Sequence, residues 1–241
     1  MTAALDVSGL VAGYDRTVVV RDLSLSVEAG KTAVVIGPNG HGKTTMLLAI
    51  SGLIRPMSGS ITLGDERIDR SSAESIAGMG VVHIMQGDGL FADMTVEENL
   101  LMGAHKRKDP AGVARSFAWV YELFPILADR RRQLAGNMSG GEQQMCAIAR
   151  ALMAAPRLLM IDEMSLGLAP VIVDQLLEIL DQIRRQSVAI FLVEQDVFAA
   201  FSIADRGYVM ETGRIVRAGT AAELSKDPAV RAAYLGIEAG A

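Results

Sequence analysis

Three short stretches carry residue types that could do chemistry. Gly37-Pro38-Asn39-Gly40-His41-Gly42-Lys43-Thr44 fits G-x-x-x-x-G-K-[ST]. In such a loop glycines let backbone N–H groups turn inward toward phosphate oxygens. A helix starting near Lys43 points its positive dipole end at the same oxygens. The Lys43 ammonium reaches β- and γ-phosphates, and the Thr44 hydroxyl ligates Mg²⁺. His41 fills a variable position of the pattern and has two readings, a ring lining the phosphates or a solvent-facing loop residue. The second stretch, Leu158-Leu159-Met160-Ile161-Asp162-Glu163, puts two carboxylates at the end of a strand-like apolar run, the edge where open α/β sheets bind ligands. Asp162 suits Mg²⁺ held through water, and Glu163 suits a general base acting on the attacking water. Third, Ser139 and Glu142 in Asn137-Met138-Ser139-Gly140-Gly141-Glu142-Gln143-Gln144 form a capping box. Two glycines in a first helical turn cost roughly 1–2 kcal/mol. A cap does not explain that cost, whereas an anion approaching bare backbone N–H groups does.

These residues need a sheet to position them. The continuous apolar runs Ala33–Ile36, Gly80–Ile84, Leu158–Ile161 and Ser187–Val193 read as buried parallel strands. Upstream, Leu5–Val11, Val18–Val20 and Leu23–Val27 read as antiparallel β structure, half-buried where apolar residues alternate. Helices are expected over Thr44–Ser51, through most of the stretch from Ile84 to Pro156, and after Pro170, where Val171, Leu176, Leu177 and Leu180 recur at helical spacing. The tail alternates strand-like (Gly207–Met210, Ile215-Val216) and helix-like (Thr220–Ser225) pieces. The organisation is a single α/β domain over 1–241: core at 1–86 and 156–241, helical subdomain at 87–155.

Composition narrows the function. The 241 residues include 23 basic and 28 acidic side chains, a net charge of -5, which is not the basic footprint of a nucleic-acid binder. Aromatics at 5% are too few for a row of base-stacking platforms. The one cysteine, Cys146, points to a reducing compartment. The opening MTAALDVSGL lacks the pattern of a secretory signal, and no run of about 18 apolar residues occurs. The mean hydropathy of +0.30 is high for a soluble protein. It has two readings, a large α/β core or a surface that docks on something apolar.

In order and spacing, these motifs resemble the nucleotide-binding subunits of ABC transporters over essentially the whole chain. The resemblance implies a P-loop NTPase core with a mostly parallel sheet, an N-terminal antiparallel β subdomain and an inserted helical subdomain. It implies that ATP and Mg²⁺ bind at Gly37 through Thr45, with Thr44, Gln86 and Asp162 toward the metal. Tyr14 stands where the family's adenine-stacking aromatic lies, and Gln86 where a glutamine senses the γ-phosphate. Alone, Tyr14 also reads as a partly buried tyrosine and Gln86 as a loop residue. Ser139, Gly140, Gly141 and Glu142 match the signature that clamps ATP held by an opposite subunit, and Ser165-Leu166-Gly167-Leu168 the dimer-contact loop. Met94–Leu100, Gly141–Met145, Ser165–Pro170, Leu192-Val193-Glu194-Gln195 and Asp205–Glu211 resemble more narrowly the shorter ATPase of branched-chain amino acid importers. Urea importers share several of these stretches. This branch implies a second ATPase (a paralogue or a copy of this chain), membrane permease subunits, a solute-binding protein, no nucleic acid, and a peripheral place on the cytoplasmic face of the inner membrane. Leu90, Phe91 and Met94 read either as a groove for a permease helix or as helical-subdomain core.

Some positions depart from the broad family pattern. Gln195 stands where histidine usually contacts the γ-phosphate, and an amide takes up no proton at neutral pH; hydrolysis then rests on Glu163. Met164 replaces the usual proline, which predicts a freer Glu163. Gly87-Asp88-Gly89-Leu90 lacks the expected basic residues. Gln195 and Met164 together motivate a rival, a module that closes on ATP but hardly hydrolyses it. A ribosome- or DNA-directed ATPase would carry a fused second domain or a long insertion, and this chain has neither.

Overall fold

The computed structural model describes residues 3–87 and 89–234; Asp88 lies outside the described residues. In chain order the elements are β1 (Ala3–Tyr14), β2 (Thr17–Glu28), β3 (Thr32–Ile36), α1 (Lys43–Ile50), β4 (Ser58–Leu63), β5 (Glu66–Arg67), α2 (Ala73–Gly78), β6 (Val81–Ile84), α3 (Val96–Gly103), α4 (Pro110–Leu123), α5 (Pro125–Asp129), α6 (Gly140–Met153), β7 (Leu158–Asp162), α7 (Pro170–Arg185), β8 (Ala189–Glu194), α8 (Val197–Ile203), β9 (Arg206–Glu211), β10 (Arg214–Gly219), α9 (Ala221–Leu224) and α10 (Pro228–Tyr234).

The central sheet has the order β10-β9-β3-β8-β7-β6 and is parallel except for the β9–β10 hairpin. β3, β7 and β8 are buried along their whole length, so alternate side chains feed two cores. Val34, Ile36, Leu159, Ile161, Ile190 and Leu192 face a core shared with α6 and α7. Ala33, Val35, Leu158, Met160, Phe191 and Val193 face one shared with α1 and the second sheet. That second sheet, β2-β1-β4-β5, is antiparallel.

The expected break between Val20 and Leu23 is a bulge in one strand. Leu10 pairs with Leu23 and Ala12 with Val20, so β2 carries one extra residue. Asp22 takes φ 51° there, and Arg21 N–H donates to Gly213 O at 2.8 Å, tying the second sheet to the β9–β10 turn. The sequence pattern left β4, β5 and α2 unmarked. β4 buries only Ile61 and Leu63, and α2 only Ile76, too little for either periodicity to show. Between β6 and β7 the chain forms α3 to α6, with α3 and α6 each opened by a capping box. No described helix is long and apolar enough to cross a membrane.

Candidate functional site

The C-terminal ends of β3, β6, β7 and β8 bring the chemical residues to one edge. The loop after β3 passes so close to β9 that a Cβ on Gly37 would lie 2.3 Å from Met210 O. Gly42 caps α1 at φ 99°, a conformation that favours glycine. The Lys43 side chain is buried and curls back over the loop, donating to Gly37 O at 2.8 Å and Pro38 O at 3.1 Å. Its ammonium also lies 3.4 Å from Glu163 Oε1. Gln86 Nε2 donates to Glu163 Oε2 at 2.8 Å. Lys43, Thr44, Thr45, Asn39, Gln86 and Glu163 line one cavity of about 280 Å³. Thr45 donates to the hydroxyl of Tyr14 at 3.4 Å; that ring is half exposed at the end of β1. His41 turns elsewhere: its Nδ1 accepts Thr212 N–H at 3.2 Å, and its carbonyl accepts Gly213 N–H. The ring is therefore a fastener to the β9–β10 hairpin, and the Nδ1 acceptor role puts its proton on Nε2.

Glu163 holds a left-handed backbone, φ 54°, a strained conformation costing about 1–3 kcal/mol for a non-glycine residue. Its N–H donates to Val193 O at 2.9 Å. Asp162 beside it is buried, and neither carboxylate oxygen has a hydrogen-bond partner. Burial pushes the Asp162 carboxyl above the usual range; the nearby Thr44 hydroxyl opposes this, Glu163 adds to it and Lys43 opposes it. A buried carboxylate without partners is costly, and a hard divalent cation is the group it fits. Among the described residues no cluster of three acids or histidines forms a full metal cage.

Gln195 is exposed and lines a neighbouring cavity of about 450 Å³ that shares Glu163 with the first. The expectation that Met164 frees Glu163 is corrected here. Met164 is buried, and its N–H donates to Glu194 Oε1 at 3.0 Å, a bond that proline could not make. Glu194 itself was missed in the sequence. The available signal was a carboxylate directly at the end of the apolar run Ser187–Val193, as Asp162 stands at the end of Leu158–Ile161.

Ser139 caps α6, accepting Glu142 N–H, while Glu142 Oε2 accepts Ser139 N–H at 3.0 Å and pairs with Arg130. The two glycines divide. A Cβ on Gly141 would lie 2.8 Å from Ile172 Cγ2 of α7, so packing accounts for it. Gly140 is exposed, meets nothing nearer than Leu168 at 3.8 Å, and keeps an accessible backbone. Within one chain none of Ser139, Gly140, Gly141 and Glu142 lines the phosphate-loop cavity. Leu90 packs partly against the helical core, whereas Phe91 is exposed beneath the Arg150 guanidinium. Leu53, Met85, Phe91 and Met102 line an open groove of about 700 Å³. Both readings of the high hydropathy therefore have a counterpart, two continuous cores and an apolar groove.

The ABC transporter family model matches residues 20–165. The chain is 46% identical over 224 residues to the high-affinity branched-chain amino acid transport ATP-binding protein BraG of Pseudomonas aeruginosa, covering 92% of this chain and 95% of that one. It is 34% identical over 250 residues to the corresponding protein LivG of Salmonella typhimurium, covering 96% and 97%. The crystal structure of the ADP conformation of an ATP-binding cassette of an ABC transporter superposes with a TM-score of 0.87 at 25% identity, covering 98% of this chain and 100% of that one.

Proposed function

Because the chain belongs to the ABC transporter family, whose ATP-binding subunits hydrolyse ATP to power transport, we propose that it is the ATPase of an importer for branched-chain amino acids. The observation that carries the hydrolytic part is the joining of Lys43, Gln86 and Glu163 beside a partnerless Asp162. The 46% identity to BraG supports the cargo.

In this reading the backbone of Gly37–Gly42 and the Lys43 ammonium bind β- and γ-phosphates, and Tyr14 stacks on adenine. Thr44, Asp162 and Gln86 would hold Mg²⁺, which neutralises phosphate charge when bound. Glu163 orients the attacking water and accepts its proton, while Gln86 and Lys43 hold that carboxylate in place. The exposed amide of Gln195 can donate to the γ-phosphate but moves no proton. Ser139, Gly140 and Gly141 grip nucleotide held by a second ATPase subunit, so ATP draws two such domains together and hydrolysis releases them. Residues 87–155 act as the helical subdomain, and the groove around Phe91 seats a permease helix at the cytoplasmic face of the membrane. The permease in turn receives cargo from a solute-binding protein.

Steady-state phosphate release by the assembled transporter tests hydrolysis, with Glu163→Gln expected to lose at least about 100-fold. Equal, slow release by wild type and variant would favour the ATP-gated module instead. Uptake of leucine against urea in vesicles carrying the full complex tests the cargo. A cysteine at Phe91 should crosslink to a permease subunit; none trapped in the assembled complex would remove the groove from the mechanism.

A further inference from the structure

Glu194 closes β8 and is 1% exposed. Its carboxylate is filled by donors from two loops. Oε1 accepts the N–H groups of Met164 at 3.0 Å and Ser165 at 3.1 Å. Oε2 accepts the Ser165 hydroxyl at 2.6 Å and the N–H of Gln195 at 3.3 Å. The preceding residue, Val193, accepts Glu163 N–H at 2.9 Å. The backbone of 163, 164 and 165 is thus pinned, residue by residue, to the last two residues of β8.

We propose that Glu194 is a positioning residue for ATP hydrolysis, a latch that fixes the Met164–Ser165 loop and the Gln195 backbone so that Glu163 keeps its place against Gln86 and Lys43. The inference rests on the reading of Glu163 as the base. Four donors converging on one carboxylate are charge-assisted bonds, stronger than neutral ones. They oppose the strain of a left-handed Glu163, whose relaxation would carry its carboxylate off Gln86. Where proline would stiffen the loop through its ring, here the restraint passes through the Met164 N–H. The same latch sets the base of the exposed Leu166 loop, so the geometry of Glu163 and that of the loop are fixed together.

A misplacement of about 1 Å costs about 100-fold in rate. In the assembled transporter, Glu194→Ala should therefore lower kcat about 10- to 100-fold. KM for Mg-ATP should move less than about 3-fold, because the phosphate loop is untouched. Glu194→Gln keeps the shape but sets an amide against the Gln195 N–H, and should lie between wild type and Glu194→Ala. Ser165→Ala, which removes one bond of four, should cost a few-fold. Since Glu194 acts through Glu163, adding Glu194→Ala to Glu163→Gln should lower the rate no further, whereas a merely structural role would multiply the two losses. Wild-type kcat in both Glu194 variants, a matching loss of nucleotide binding and kcat in Glu194→Gln, or multiplicative losses would each overturn the latch. If Glu163→Gln hydrolyses as well as wild type, the base itself is misassigned, and the latch falls with it.

Discussion

Neighbouring strands β7 and β8 each end in a buried carboxylate, and their surroundings treat the two in opposite ways. Asp162 pairs in register with Val193, one residue short of Glu194. Burial raises the proton affinity of both. Around Glu194 four donors are in place, and every one of them suits the ionised form. Around Asp162 the Thr44 hydroxyl and the Lys43 ammonium are near enough to favour the ionised form, yet neither oxygen is closed off by a hydrogen bond of good geometry. Residue type, depth and place in the sheet are therefore poor guides to role, and the inventory of partners is a better one. A satisfied buried acid is scaffold; an orphaned one at a ligand-binding edge is kept for something that arrives from outside.

The contrast predicts opposite stability changes for the same chemical edit. If Asp162 holds Mg²⁺ as proposed, Asp162→Asn should reduce hydrolysis at least about 100-fold, because that ligand loses its charge. The same change should stabilise the nucleotide-free chain by about 1 kcal/mol, since a buried charge that the nearby Thr44 hydroxyl and Lys43 offset only in part disappears. Glu194→Gln should destabilise it by about 2 kcal/mol, because the amide leaves a buried donor unpaired. Urea unfolding of wild type and both variants in EDTA measures both signs. If the two edits shift the midpoint in the same direction, the contrast between orphan and latch is wrong.

The catalytic edge was legible in the sequence to the extent that its chemistry is contiguous. A phosphate loop needs its glycines, Lys43 and Thr44 side by side, and Asp162-Glu163 needs a buried run immediately before it. The parallel strands were legible because burial on both faces leaves runs such as Ala33–Ile36 with no polar residue. What escaped depends on segments distant in sequence. Glu194 meets Met164 and Ser165 from 30 and 29 residues away, so no local pattern links them. The ring of His41 bonds the backbone of Thr212, 171 residues on. The second reason for a glycine at 141, the Ile172 side chain packed against it, appears only in the fold. β4 and α2 escaped for the reverse reason: they are local but bury too few side chains to have a period.

A half-buried titratable group on the next strand extends the contrast to a base. His83 lies on β6 opposite Met160 of β7, and its Nε2 is buried without a partner. Among the described residues the ring's one hydrogen-bond partner is Ser51 Oγ, 3.4 Å from Nδ1. Burial pushes the His83 pKa down to about 4, so the folded chain holds it neutral. In the unfolded chain histidine titrates near 6.5, so between about pH 6.5 and pH 4 the unfolded state binds more protons and stability falls as pH falls. His83 should therefore contribute its full share above about pH 6.5 and lose about 1 kcal/mol of it by pH 5.5. Measuring unfolding free energy at pH 7 and pH 5.5 for wild type and His83→Gln isolates this share, since the other acids are common to both chains. Wild type should lose about 1 kcal/mol more than the variant on acidification. Equal losses would mean that His83 gains a proton in the fold as readily as in the open chain. Its orphaned nitrogen, unlike the oxygens of Asp162, would then have found water.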